Sequence, residues 1–206
     1  MSSLPQSSTP PAEFFEQWLP KAFAAAPVPE AAKSVDVKLG IRLEGAGGGE
    51  WIFHMDRGTL SVTPGSAEAC AFTLIQSVDD WRGCLWEGRG GAFGKQAAAM
   101  FQPGAAQAGA GPSGRPMNPQ AIERLGALRG VVRMVVSGGA GGDWKVDFKL
   151  GPGPVPAEPT TTVTVANDDA EAMGRGELDP MQAFMSGKIQ IAGDMGLMMQ
   201  MQAASM

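Results

Sequence analysis

The stretch "TVTVANDDAEAMGRGELDPMQAFMSGKIQIAGDMGLMMQMQ" (Thr162–Gln202) carries two strands and three helices in its residue pattern. Val163 and Val165 alternate with threonines, which predicts a strand with one buried face. Asn167 or Asp168 then opens a helix, because either side chain can accept the first free amides. Asp168, Asp169 and Glu171 read as a solvated helix start favoured by the macrodipole. Asp179 is a suitable N-cap with Pro180 at the first helical position, and Gly187 closes a short helix carrying Phe184. Ile189 and Ile191 alternate as a second strand. Gly193 breaks it, and Asp194 caps a final helix.

That final helix is unusually greasy. Of the chain's 13 methionines, Met173, Met181, Met185, Met195, Met198, Met199, Met201 and Met206 fall at or after residue 173. Met195, Leu197, Met198, Met199 and Met201 project around most of the helix, with Gln200 and Gln202 as polar breaks. A surface helix normally has one apolar stripe, so this one calls for cover on both sides. A sheet supplies one side. The other is left to a second protein layer, a partner subunit or an apolar ligand. Methionine adapts to irregular apolar surroundings, which suits any of the three.

Outward from this stretch, the chain repeats itself. "GAGGGEWIFHMDRG" (Gly45–Gly58) lies without a gap over "GGAGGDWKVDFKLG" (Gly138–Gly151). Upstream, Val35, Val37, Leu39, Ile41 and Leu43 alternate with polar residues and glycine, as Val132, Met134 and Val136 do in the second copy. Each Gly-rich connection between alternating runs predicts a β-hairpin. "TLSVTPG" predicts a third strand, whereas its counterpart "PGPVPAEP" is too proline-rich for one. The first copy in turn shows no match to the closing strand at Ile189–Ile191. "ACAFTLIQSVDDWRGCLWEG" adds a strand with Cys70, Phe72 and Leu74 inward, then a helix with Trp81, Cys84 and Leu85 on its apolar face. "PAEFFEQWLPKAFAAAP" and "NPQAIERLGALRG" open the two halves as helices, the second ending at Gly130. Residues 1–11 read as a disordered Ser/Pro-rich tail, 12–101 as a first half and 118–206 as a second. Residues 102–117 read as a flexible Gly/Ala/Pro linker.

The second half resembles the sterol carrier protein type-2 family. The steps are Gly176-Glu177-Leu178-Asp179-Pro180, Ala183-Phe184, Gly187-Lys188-Ile189 and Gly193-Asp194-Met195-Gly196-Leu197, followed by the methionine helix. The first half resembles the same family in its strand region only and is degenerate. The resemblance implies an α+β fold: a mostly antiparallel sheet of about five strands, covered by helices on one face, with an apolar cavity between the layers. It implies a non-enzymatic carrier of sterols, fatty acids, fatty acyl-CoAs or phospholipids, without a cofactor. With each half missing a different strand, the two are read as duplicated or as completing one composite domain. Trp144, Phe148, Val163, Val165, Phe184, Met185, Ile191, Met195, Met198 and Met199 are the candidate lipid-lining residues, each of which reads equally as core.

Composition narrows the function further. With 206 residues, 44% hydrophobic and 18% charged, the chain is ordinary for a globular protein. A net charge of −5 without a polybasic run argues against nucleic acid as a partner. Cys70 and Cys84 lack metal or disulfide spacing, and the first residues lack a signal-peptide pattern, so a cytoplasmic setting is expected. The one histidine, His54, alternates out of phase with Trp51, Phe53 and Met55 and should face away from the core. A catalytic triad or a histidine-based metal site therefore has nothing to build on. The Gly-rich turns, and "GAFGKQ" at Gly91–Gln96, lack the ending of a nucleotide loop. Two readings stay open: a lipid carrier with transient membrane contact, and a protein-interaction module that homodimerises through the methionine helix and binds no lipid.

Overall fold

The computed structural model describes residues 4–28, 30–101 and 119–204; the expected linker falls outside these. In the first half, β1 (Asp36–Glu44) and β2 (Gly49–Asp56) form a hairpin, and β3 (Thr59–Pro64) continues it. β4 (Phe72–Ser77) then returns to the free side of β1 and pairs with it in parallel, Ile41 opposite Leu74. The second half repeats the path. β5 (Gly130–Gly139) and β6 (Gly142–Leu150) form the hairpin, and β7 (Thr161–Ala166) runs parallel to β5, Met134 opposite Val163. β8 (Ile189–Gly193) closes that edge antiparallel to β7. The hairpin glycines earn their place: Gly45, Gly47, Gly138, Gly141 and Gly142 all have positive φ, which other residues rarely adopt.

The sheet itself differs from the expected one of about five antiparallel strands. It has eight strands in the order β3-β2-β1-β4-β6-β5-β7-β8, and it is mixed. The first half lacks a strand beyond β4 and the second lacks one beyond β6, because the proline-rich segment after Leu150 cannot donate to a ladder. These two unfilled edges pair antiparallel with each other, with Phe72 opposite Leu150 and Leu74 opposite Phe148. Exposed strand edges are a liability, and joining them satisfies both rows of backbone groups at once.

Register puts one apolar face across all eight strands. It includes Leu39, Ile41, Trp51, Phe53, Leu60, Leu74, Trp144, Val146, Val132, Val136, Val163, Val165 and Ile191. The helices cover this face, and both layers join one contiguous core. The opposite face carries paired charges, among them Arg133–Asp147 at 2.7 Å, Arg42–Glu50 at 3.3 Å and His54–Asp36 at 2.8 Å. His54 is thus directed away from the core, as its alternation predicts.

Over the first half lie α1 (Pro11–Glu13), a π-helical turn (Phe14–Trp18) and α2 (Leu19–Ala24), then α3 (Val78–Arg82) with a second π-turn (Gly83–Glu87). Residues just before α1 are held down, with Leu4 against the core and Trp86 Nε1 donating to the Pro5 carbonyl at 2.9 Å. α4 (Gly91–Ala99) reaches over the second half and crosses α6 (Asn167–Gly174), which packs on β5 and β7. α7 (Pro180–Met185) lies by β8, and α8 (Met195–Ala204) lies against α5 (Pro119–Ala127) and β7. α5 stops at Ala127 rather than at Gly130, whose φ of 142° opens β5 instead.

Candidate functional site

The second half's apolar face is built by register. Val163 lies between Met134 and Ile191, and Val165 between Val136 and Ile189. Val163 and Val165 are buried, while Met134, Ile189 and Ile191 at their sides are only half-buried. Three helices border this face, and two of them start from well-defined caps. The Asp179 carboxylate accepts from the amides of Met181 (2.9 Å) and Gln182 (3.1 Å) at the start of α7. The Asp194 carboxylate accepts from those of Gly196 (2.7 Å) and Leu197 (3.2 Å) at the start of α8. Both caps were legible in the sequence. The α8 start is also tied to β7, since the Asp194 amide donates to the Thr160 carbonyl and the Thr161 hydroxyl to the Asp194 carbonyl.

α8 uses one flank for packing. Leu197 and Ala204 are buried and Met198 and Met201 half-buried against the core, but Met199 is 68% exposed and Met195 is exposed too. Among the described residues, the expected second cover is not found on that flank. α7 is barer: Ala183 is its buried residue, while Met181, Phe184 and Met185 are exposed, Met185 at 80%.

The ten sequence candidates divide accordingly. Val163, Val165, Ile191 and Met198 share the second-half layer, and Phe184, Met185, Met195 and Met199 stand on its exposed helices. Phe148 sits at the seam, its ring stacked on Phe72 at 5.8 Å. Trp144 is fully buried beneath the first half: its indole N–H donates to the Asp80 carbonyl at 3.0 Å, and a Cβ on Gly90 would stand 2.5 Å from its ring. Its place is therefore between the halves, apart from the half-buried layer. Met134, Ile189, Leu197 and Met201 also belong to this layer though they are not among the ten; the first two lie in alternating runs and the others on the methionine helix.

Charges ring this layer without entering it. Lys188 pairs with Asp169, Lys95 with Glu171 at 3.0 Å, and Arg175 with Glu177 at 2.8 Å. Among the described residues, no three His, Cys, Asp or Glu side chains gather closely enough to hold a metal ion. Burial pushes the Cys84 thiol up to about 12 and raises that of Cys70, so neither is a ready thiolate. The layer offers apolar area and the adaptable side chains of methionine.

Comparison with known proteins bears chiefly on the same half, with one match reaching into the first. The SCP-2 sterol transfer family matches residues 114–205, so the resemblance carried by the motifs from Gly176 to Leu197 holds there. Hydroxysteroid dehydrogenase-like protein 2 of Xenopus tropicalis is 37% identical over 160 residues, covering 71% of this chain and 36% of that protein. Sterol carrier protein 2 of Rattus norvegicus is 36% identical over 89 residues, covering 40% of this chain and 16% of that protein. The chain thus spans about a third or less of the length of these relatives. Among solved structures, palmitated SCP2L2 of Aedes aegypti shares 25% identity, covering 42% of this chain and 93% of that one, with a TM-score of 0.30.

Proposed function

We propose that the second half binds and carries a hydrophobic lipid, without catalysing a reaction on it. The observation that carries this reading is the incomplete cover of the layer between β5–β7–β8 and α6–α8. Ile189, Ile191, Met198 and Met201 are half-buried there, and Met185, Met195 and Met199 are bare beside them, in the segment that matches the SCP-2 sterol transfer family. Each large apolar side chain moved from water to full burial contributes about 1.5–3 kcal/mol, so an apolar chain or ring system laid against four or five of them gains substantial affinity. With few polar groups to fix orientation, selectivity among sterols, fatty acids, acyl-CoAs and phospholipids is broad. Exposed methionines at the rim suit brief contact with a membrane during loading. Two buried, unpaired cysteines fit a reducing compartment such as the cytoplasm.

Replacing Met198 and Met199 with aspartate tests the reading. The folded double variant is expected to lose uptake of a fluorescent fatty acid at least tenfold; unchanged uptake would remove α8 from the site. The same bare methionines support a second reading, a homodimer formed through α7 and α8 that binds no lipid. Sedimentation separates the two: the carrier stays monomeric when loaded, whereas the interaction module is a stable dimer that refuses the probe.

A further inference from the structure

We infer that this chain holds a single lipid, because the first half has filled its own equivalent space with aromatic side chains. The inference rests on the carrier reading above and concerns which half can accept cargo.

The two halves are alike in path and register, so their corresponding spaces can be compared. Ile41 and Leu74 occupy in the first sheet the places that Met134 and Val163 occupy in the second. Over the first, Phe15 stands between the layers. Its ring lies 4.9 Å from Trp51 and 5.4 Å from Phe53 on the sheet, and 5.3 Å from Trp81 on α3. Phe14 continues the stack to Trp81 at 5.1 Å and Trp86 at 5.8 Å, and Phe101 fills in at 5.5 Å from Phe15. Phe14, Phe15, Trp81 and Phe101 have no exposed surface at all.

The π-helical turn that carries Phe14 and Phe15 is a departure from regular helix of the kind that persists where it serves a purpose. It is also fastened to the sheet, since Glu16 accepts from the Trp51 indole N–H at 2.8 Å. The second half has fewer aromatic side chains to draw on, with half-buried Phe93 of α4 brought over it from the first. Residues 119–204 contain three aromatic side chains, Trp144, Phe148 and Phe184. The first is spent beneath Gly90, the second stacks at the seam, and the third is exposed on α7. Valine, isoleucine and methionine line the layer in their place, the valines buried but Met134, Ile189, Ile191 and Met198 only half-buried. Close-packed interiors leave no room for a guest without displacing side chains.

Titration of the full chain with 9,10-dibromostearic acid, read by native mass spectrometry and by tryptophan emission, tests this. Trp18, Trp51, Trp81 and Trp86 all belong to the first half, and bromine quenches an indole only at close range. One equivalent bound, with more than half of the emission retained, is the expected result. Two equivalents, or one equivalent that quenches most of the emission, would overturn the inference while leaving the carrier reading intact. No binding at all would fail the carrier reading and the inference with it. Phe15→Ala approaches from the other side: the folded variant is expected to take a second equivalent and to lose emission as it does. A folded variant that still takes one would overturn the role of Phe15.

Discussion

Gln76 occupies on β4 the place that Val165 occupies on β7, inside the apolar layer, and its amide oxygen has no hydrogen-bond partner among the described residues. Its amide nitrogen makes one long bond, 3.3 Å, to the Lys145 carbonyl. A buried polar atom without a partner costs about 1–3 kcal/mol. Gln76→Leu is therefore expected to raise stability by about 1 kcal/mol after loss of that bond, seen as a higher urea midpoint; a lower midpoint would mean that the amide is satisfied. Cys84 is a second residue whose burial has a measurable consequence. Its thiol is held up to about 12 against 9.0 for a free thiol, with burial the main cause and Asp80 adding to it. Between those values the unfolded chain has lost a proton that the folded chain keeps, so stability falls as pH rises, by about 1.4 kcal/mol per unit. Cys84→Ala should make the loss of stability above pH 9 shallower, and an unchanged slope would place the alkaline sensitivity elsewhere.

At the scale of elements, those with a clean period or a clean cap were legible. The alternation of Val37 to Leu43 became β1, the two Gly-rich turns became hairpins, and Asp179 and Asp194 cap the helices they were expected to cap. α4 was not legible, because "GAFGKQAAA" offers no large apolar stripe. It is buried through closeness instead: a Cβ on Gly174 would stand 2.6 Å from the Ala92 Cβ, and one on Gly91 would stand 3.4 Å from the Ala170 Cβ. A crossing this tight depends on a partner about 80 residues away in sequence, which no local window contains. Gly174→Val is expected to cost about 1–3 kcal/mol through overpacking, measured as a lower melting temperature, while fatty-acid binding in the remaining folded protein is retained. A neutral result would mean that the two helices can separate freely. The flank of α8 that stays bare was half-legible. The sequence showed a helix too greasy for one cover, but the turn of the helix that meets α5 and β7, with Leu197 and Ala204 inward, depends on packing between distant segments.

Across the whole molecule, the sequence disclosed the repeat and the strand that each copy lacks; it could not disclose that the two vacancies face each other. Hydrophobic alternation assigns side chains to a face and says nothing about which edge a strand presents to which neighbour. Pairing of β4 with β6 fixes that, and the α4–α6 crossing and the Trp144 indole bond to Asp80 reinforce it from the helical side. If the two halves complete one another in this way, continuity of the chain between them is dispensable once folding is done. A protease site placed between residues 108 and 109 tests that. After cleavage, the fragments are expected to co-elute as one species, to melt in a single transition and to keep the fatty-acid capacity of the intact chain. Residues 119–206 produced alone would leave the β6 edge unpaired and Trp144 uncovered, and are expected to aggregate unless residues 1–108 are supplied. Fragments that separate in dilute buffer, each with its own melting transition, would instead describe two independent domains that merely touch along β4 and β6.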